Sequence, residues 1–177
     1  MPGRRQVSRR WLGQCRGRGV GKCTGLSHNG SARERFGAIG VNQQSEPDTV
    51  FGAHIPFVRF CGIEALDVRD GRTRLRLALR PEHANNLGIA HGGVICTLLD
   101  VALGTAARLR AGRPVVTLDM QTRFLAPGRD VLLAEGRVTR AGRSVIFCEA
   151  EIRDAAGELV ASATGLLKPV GAPPTAR

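Results

Sequence analysis

The chain has 177 residues, 42% of them hydrophobic, which suits one ordinary globular domain with residues to spare for a tail. Its formal net charge of +11 would by itself point to nucleic acid or an anionic membrane, but residues 1–49 carry nine Lys/Arg against three Asp/Glu, while residues 50–171 carry sixteen against twelve. Five cysteines, at Cys15, Cys23, Cys61, Cys96 and Cys148, lack the spacing of a zinc site or a disulfide framework; a reducing compartment and a cytoplasmic location are expected.

Residues 1–49 are rich in Gly, Arg and Ser and show no sustained apolar periodicity, so a disordered basic tail is expected there. No apolar segment of the kind a secretory signal needs follows Arg9 and Arg10. An organellar transit peptide and upstream sequence translated from an early start codon are the two remaining readings; the second is favoured, with Val41 or Val50 as the native start. The folded domain is expected over 50–171, with 172–177 as a short C-terminal tail.

From Phe51 the texture changes to alternating patterns punctuated by turn signals. Gly62 to Val68 leads into Asp70-Gly71, a hairpin pair, and the run Arg72 to Arg80 then alternates strictly, with Thr73, Leu75, Leu77 and Leu79 on one face. The arginines on the other face read as a solvated surface. A nucleic-acid patch is disfavoured, because no aromatic residues are interleaved for base stacking. A loop from Pro81 to His91 precedes Gly92 to Ala107, sixteen residues whose one charge is Asp100. This predicts a buried core helix, too short to span a membrane and ended by Gly112-Arg113-Pro114. Strands follow at Val115–Leu125, Val131–Thr139, Ser144–Arg153 and Leu159–Lys168, separated by Pro127-Gly128, Ala141-Gly142 and Ala156-Gly157. Short connections make the run antiparallel, and one curved sheet wrapped around an apolar helix is the economical way to enclose it.

A carboxylate within an apolar helix is costly unless it is paired or placed in a functional cavity. Asp100 therefore has two readings: an Asp capping a neighbouring backbone or paired with a buried Arg, and a catalytic group. At helical spacing its neighbours are mostly small, including Gly93, Cys96, Thr97 and Gly104, which leaves room for a ligand. Ahead of it, Asn85 to Gly93 delivers Gly92 and Gly93 to a helix N-terminus, where free N–H groups favour negative charge; with no side chains in the way, this is a candidate oxyanion hole. His91 has the roles of orienting the loop, hydrogen-bonding a thioester, or simply starting the helix. Nine residues of helix separate His91 from Asp100, about 13 Å at the usual rise. One carbonyl cannot touch both, so a joint role requires two chains. Thr117 and Asp119, spaced for one face of a strand, supply a candidate water-holding hydroxyl and a structural or contact residue. Arg137, Arg140 and Arg143 near the Ala141-Gly142 turn are candidates for binding coenzyme A phosphates, set against the ordinary reading of surface arginines. No nucleophile elbow, dinucleotide fingerprint or phosphate loop is present, and His28, His54, His83 and His91 make no convincing metal site.

The run Pro81-Glu82-His83-Ala84-Asn85, then Gly88, then His91 to Asp100 resembles the hotdog thioesterases of the phenylacetic-acid-degradation (PaaI) type, and the similarity extends over residues 50–170, through Val116 to Gln121 and Phe124 to Gly128. What the resemblance implies is an α+β hotdog fold, an antiparallel sheet around one long central helix, in a homodimer or homotetramer with shared sites. It also implies hydrolysis of an acyl- or aryl-acyl-CoA thioester to free acid and CoA. No metal or cofactor is implied, coenzyme A being part of the substrate. Asp100 would activate water or attack the thioester itself. Gly92 on the partner subunit would donate to the carbonyl, with His91 and Asn85 positioning the reactants and Thr117 assisting the water; Gly93, Arg140 and Arg143 are candidate substrate contacts. Two competing readings are a hotdog dehydratase or hydratase, whose usual motif is missing, and a non-catalytic acyl-CoA sensor.

Overall fold

The computed structural model describes residues 49–171; the expectations for the basic tail and for residues 172–177 fall outside the described residues. In chain order the elements are α1 (Pro56–Phe60), β1 (Ile63–Arg69), β2 (Arg72–Ala78), a 3-10 turn (Pro81–His83), α2 (Gly92–Ala111), β3 (Val115–Phe124), β4 (Val131–Ala141), β5 (Ile146–Asp154) and β6 (Leu159–Pro169).

Strand β2 follows its sequence pattern residue by residue: Thr73, Leu75 and Leu77 are buried and the residues between them are half-buried. It turns back on β1 through Asp70 and Gly71, both in the left-handed region at φ 52° and 72°, the backbone that a two-residue hairpin of matching twist needs. The arginines of its outer face meet acidic residues of the flanking strands, Arg76 with Glu64 at 2.8 Å and Arg74 with Glu135 at 3.1 Å. Such pairs at or near the surface contribute little each, on the order of 1 kcal/mol, but they account for the alternation on the solvent side.

Six strands form one sheet in the order β1-β2-β4-β5-β6-β3, every neighbouring pair antiparallel. Helix α2 lies on one face, packing against β2 to β6. Leu98, Leu99, Ala102 and Leu103 are fully buried there among Leu75, Leu77, Leu132, Ile152, Val160 and Leu167. Helix and sheet approach so closely at Gly136 that an added Cβ would lie 2.3 Å from the Ala102 carbonyl oxygen. The buried Thr73 hydroxyl spans the same contact, 3.4 Å from the Ala102 oxygen and 3.3 Å from that of Gly136.

Three expectations change. The helix continues to Ala111, and its 20 residues are long and apolar enough by length and composition to cross a membrane; half of that stretch is buried against the protein's own sheet, as in a core helix. The apolar face is also less extensive than the composition suggested. Gly93, Cys96, Thr97, Asp100, Val101, Gly104 and Arg108 are not buried, because the sheet covers only one side of the helix. Finally, β3 carries a bulge between Thr117 and Asp119, which pair with Leu167 and Leu166 respectively. Adjacent partners face opposite sides of a sheet. Thr117 therefore shares the helix side with the buried Leu167, and Asp119 lies on the other face, not on the same one.

Candidate active site

The helix start is built by a loop bonded to itself. The Asn85 side-chain oxygen accepts from the backbone N–H of Leu87 at 2.8 Å and of Ile89 at 3.4 Å, and the Asn85 N–H donates to the Ile89 carbonyl. This turn uses the acceptor of Asn85, and among the described residues its side-chain amide nitrogen has no partner. His83 is buried, takes the Arg80 N–H on Nδ1 at 3.1 Å, and accepts the His91 N–H on its carbonyl. Burial and the neighbouring Arg80 push its pKa below the usual value of 6.5. The sequence offers His83 as an unconvincing metal ligand and as part of the run that carries the resemblance; its buried place under the loop was not anticipated. Among the described residues no group of three or more His, Cys, Asp or Glu side chains is placed to hold a metal ion.

His91 is the N-cap of α2, its Nδ1 accepting the Gly93 N–H at 2.9 Å, while its carbonyl takes the N–H groups of Val94 and Ile95. The Gly93 donor is thus used within the cap. Among the described residues the Gly92 N–H has no partner, so it is the donor left at the positive end of the helix dipole. A Cβ on Gly92 would meet only the Phe124 ring, at 3.6 Å.

Two turns along the helix, Asp100 is half-buried and its Oδ1 accepts a hydrogen bond of 2.7 Å from the Thr117 hydroxyl. Among the described residues it has no cationic partner and caps no backbone group. Thr117 keeps its register with the buried Leu167 on the helix side, and the bulge that follows it turns Asp119 to the opposite face. Asp100 and Thr117 sit on the wall of a groove of about 660 Å³ along the open face of α2, lined also by Phe57, Val58, Val101, Gly104, Val115 and Met120. Residues of α1 and the segment before it form the far wall, held by Arg108, which donates to the carbonyls of Val50 at 3.0 Å and Phe51 at 2.9 Å. Neither α1 nor Arg108 was anticipated. The helical period from Asp100 through Gly104 to Arg108 was the available signal.

The proposed site residues therefore fall into three groups. Asp100 and Thr117 are in contact; Asn85, His91, Gly92 and Gly93 cluster at the helix start; and Arg140 and Arg143 lie apart. Ala141 and Thr117 belong to one row of the sheet, through Ile146 and Leu167, three strand spacings apart, about 14 Å. Arg140 lines a different cavity, with Arg110, Leu109 and Val68. Arg137 is paired with Glu149.

A helix sheathed on one side by an antiparallel sheet, with an uncompensated carboxylate over a groove and a bare N–H at the helix start, defines a hotdog-fold thioester hydrolase. Residues 87–161 match the model of the Thioesterase superfamily. Human acyl-coenzyme A thioesterase 13 is 30% identical over 112 residues, covering 59% of this chain and 79% of that protein. The medium/long-chain acyl-CoA thioesterase YigI of Escherichia coli is 30% identical over 134 residues, covering 65% and 86%. A relative from Halobacterium salinarum is 34% identical over 100 residues, and 66% of its length is covered. Among solved structures, a Bacillus halodurans protein crystallised with CoA superposes with a TM-score of 0.61 at 29% identity, over 66% of this chain and 79% of that one. The chain belongs to the thioesterase superfamily.

Proposed function

We propose that this protein is an acyl-CoA thioesterase, releasing free acid and CoA at sites shared between two subunits. The observation that carries the reading is Asp100: a half-buried carboxylate beside a groove, oriented by Thr117 and free of any cationic partner among the described residues. Such a group is placed to take a proton from water as water attacks the thioester carbon, or to attack that carbon itself. In the first route the carbonyl oxygen becomes an oxyanion, the C–S bond breaks, and the proton passes to the departing CoA sulfur. In labelled water an unlabelled first product identifies the anhydride route. In a single turnover, hydrolysis of an Asp100 anhydride at the aspartyl carbon leaves the acid unlabelled, whereas the base route and anhydride cleavage at the acyl carbon both place the solvent oxygen in it.

The oxyanion donor is the Gly92 N–H of the partner subunit. Eight residues of helix hold Gly92 and Asp100 of one chain about 12 Å apart, too far to act on one carbonyl. Strand β3 is an edge of the sheet, and it exposes Val116, Leu118 and Phe124 at 45%, 55% and 56%. An apolar unpaired edge favours pairing with a second copy. The likeness to the CoA-bound Bacillus protein supports CoA as the carrier. Arg140 and Arg143 are exposed and make no ion pair among the described residues, which supports their role toward CoA phosphates from a neighbouring chain.

The test is free-CoA release from a panel of short- to long-chain and aryl acyl-CoAs. Asp100→Asn is expected to fold normally and lose turnover by several hundredfold or more. Wild-type rates in that variant would remove the mechanism. Acyl-CoA binding without release by the wild type would favour the sensor.

A further inference from the structure

Along the open face of α2 the groove carries a cation two turns beyond Asp100. Arg108 lies eight residues on, about 12 Å at the helical rise, and the lining between is mostly apolar or small, Val101, Gly104, Val115 and Met120 with Phe57 and Val58, Thr105 adding a hydroxyl. One guanidinium nitrogen makes both of its hydrogen bonds, to Val50 and Phe51. Among the described residues no carboxylate pairs with it, and its other nitrogens have no partner. Burial pulls its pKa below the ordinary 12.5. Two backbone carbonyls and the end of the helix dipole answer part of that charge. The remaining donors suit a planar carboxylate.

We propose that the groove takes acyl groups ending in a carboxylate, so that ω-carboxyacyl-CoA thioesters are preferred substrates and Arg108 is the specificity-determining residue at the far end. The inference rests on the thioesterase reading: Asp100 acts at the thioester while the distal carboxylate meets Arg108. The products would be a dicarboxylic acid and CoA.

The experiment compares kcat/KM for matched pairs of equal chain length, hexanoyl with adipoyl, octanoyl with suberoyl and decanoyl with sebacoyl-CoA. The wild type is expected to favour the ω-carboxylate at one chain length by roughly tenfold or more, the range of a charge-assisted hydrogen bond. Arg108→Gln should abolish the preference, its loss falling chiefly on the ω-carboxyl member of each pair and on that member's KM, while any loss from the released groove wall falls on both members alike; Arg108→Lys should keep part of the preference. Equal kcat/KM within every pair in the wild type would overturn the inference and leave the thioesterase standing. So would an Arg108→Gln loss that falls equally on both members, the signature of a strap anchor alone. Thermal shifts with free suberate and octanoate need no turnover. Stabilisation by suberate that is lost in Arg108→Gln supports the carboxylate site even if no thioester is cleaved, and no difference between the two acids refutes it.

Discussion

The hydroxyl of Thr117 and the carboxylate of Asp100 stand 2.7 Å apart, and this bond fixes which rotamer the carboxylate holds. Thr117→Val keeps the shape and removes the donor, so kcat is expected to fall roughly tenfold, the effect of one hydrogen bond to a charged group, with the melting temperature little changed. Steady-state CoA release is the check, and an unchanged kcat would mean that Thr117 is only a neighbour. His83 gives a second residue-level expectation. Its folded pKa is depressed below 6.5, so its contribution to stability is complete above that value and is lost as pH falls through the folded pKa. Thermal stability should decline from about pH 6.5 downward, and more steeply in the wild type than in His83→Gln; parallel slopes would place the acid sensitivity elsewhere. The loop bonded to the His83 carbonyl should loosen in the same range. Cys148 is a contrasting case: burial pushes its thiol up to about 12, so it is expected to stay inert to thiol reagents until the protein unfolds, as mass spectrometry of the labelled peptides would report.

At the scale of elements, what the sequence made readable is what local periodicity controls. The β1-β2 hairpin was readable because Thr73, Leu75 and Leu77 alternate with arginines and Asp70-Gly71 supplies the turn. The start of α2 was readable from the capping histidine and the glycines after it. Two elements were not, for physical reasons. The bulge at β3 inserts one residue without altering composition, so strict alternation put Thr117 and Asp119 on one face when only Thr117 meets the helix side. Helix α1 is five residues long, with a proline at its start as its one local signal, and it matters through long-range packing against the groove. The groove itself is a product of tertiary structure: which side of α2 the sheet leaves open cannot be derived from a helix with small residues on several sides. The tight approach of α2 at Gly136 is equally hidden, since a glycine in β4 reads as a weak strand position. The structure makes Gly136→Ala a severe change, because backbone atoms of α2 occupy the space and no flexible side chain can give way. A loss of about 3 kcal/mol is expected from such overpacking, measurable by urea unfolding. A loss below about 1 kcal/mol would show that α2 slides easily on the sheet.

For the molecule as a whole the decisive question is whether one chain contains a working site. Within one chain, Gly92 and Asp100 are held apart by a helix that cannot bend to bring them together, while the bare apolar edge of β3 offers a surface for a second copy. Two damaged chains can then repair each other. Gly92→Pro removes the N–H proposed for the oxyanion; Gly92 is the first helical residue, where proline is well tolerated, and His91 before it is already extended at φ −63° and ψ 140°. Asp100→Asn removes the other half of the site. Each variant alone is expected to be nearly inactive. When both are co-expressed with different affinity tags and the mixed dimer is isolated, one of its two sites draws Asp100 and Gly92 from intact positions and the other combines both lesions. The mixed dimer should therefore regain about half the wild-type turnover per dimer, as an isologous two-fold assembly requires. Turnover no higher than that of the parent variants, in a mixed dimer shown to be folded, would place both groups of each site on one chain and end the shared-site mechanism.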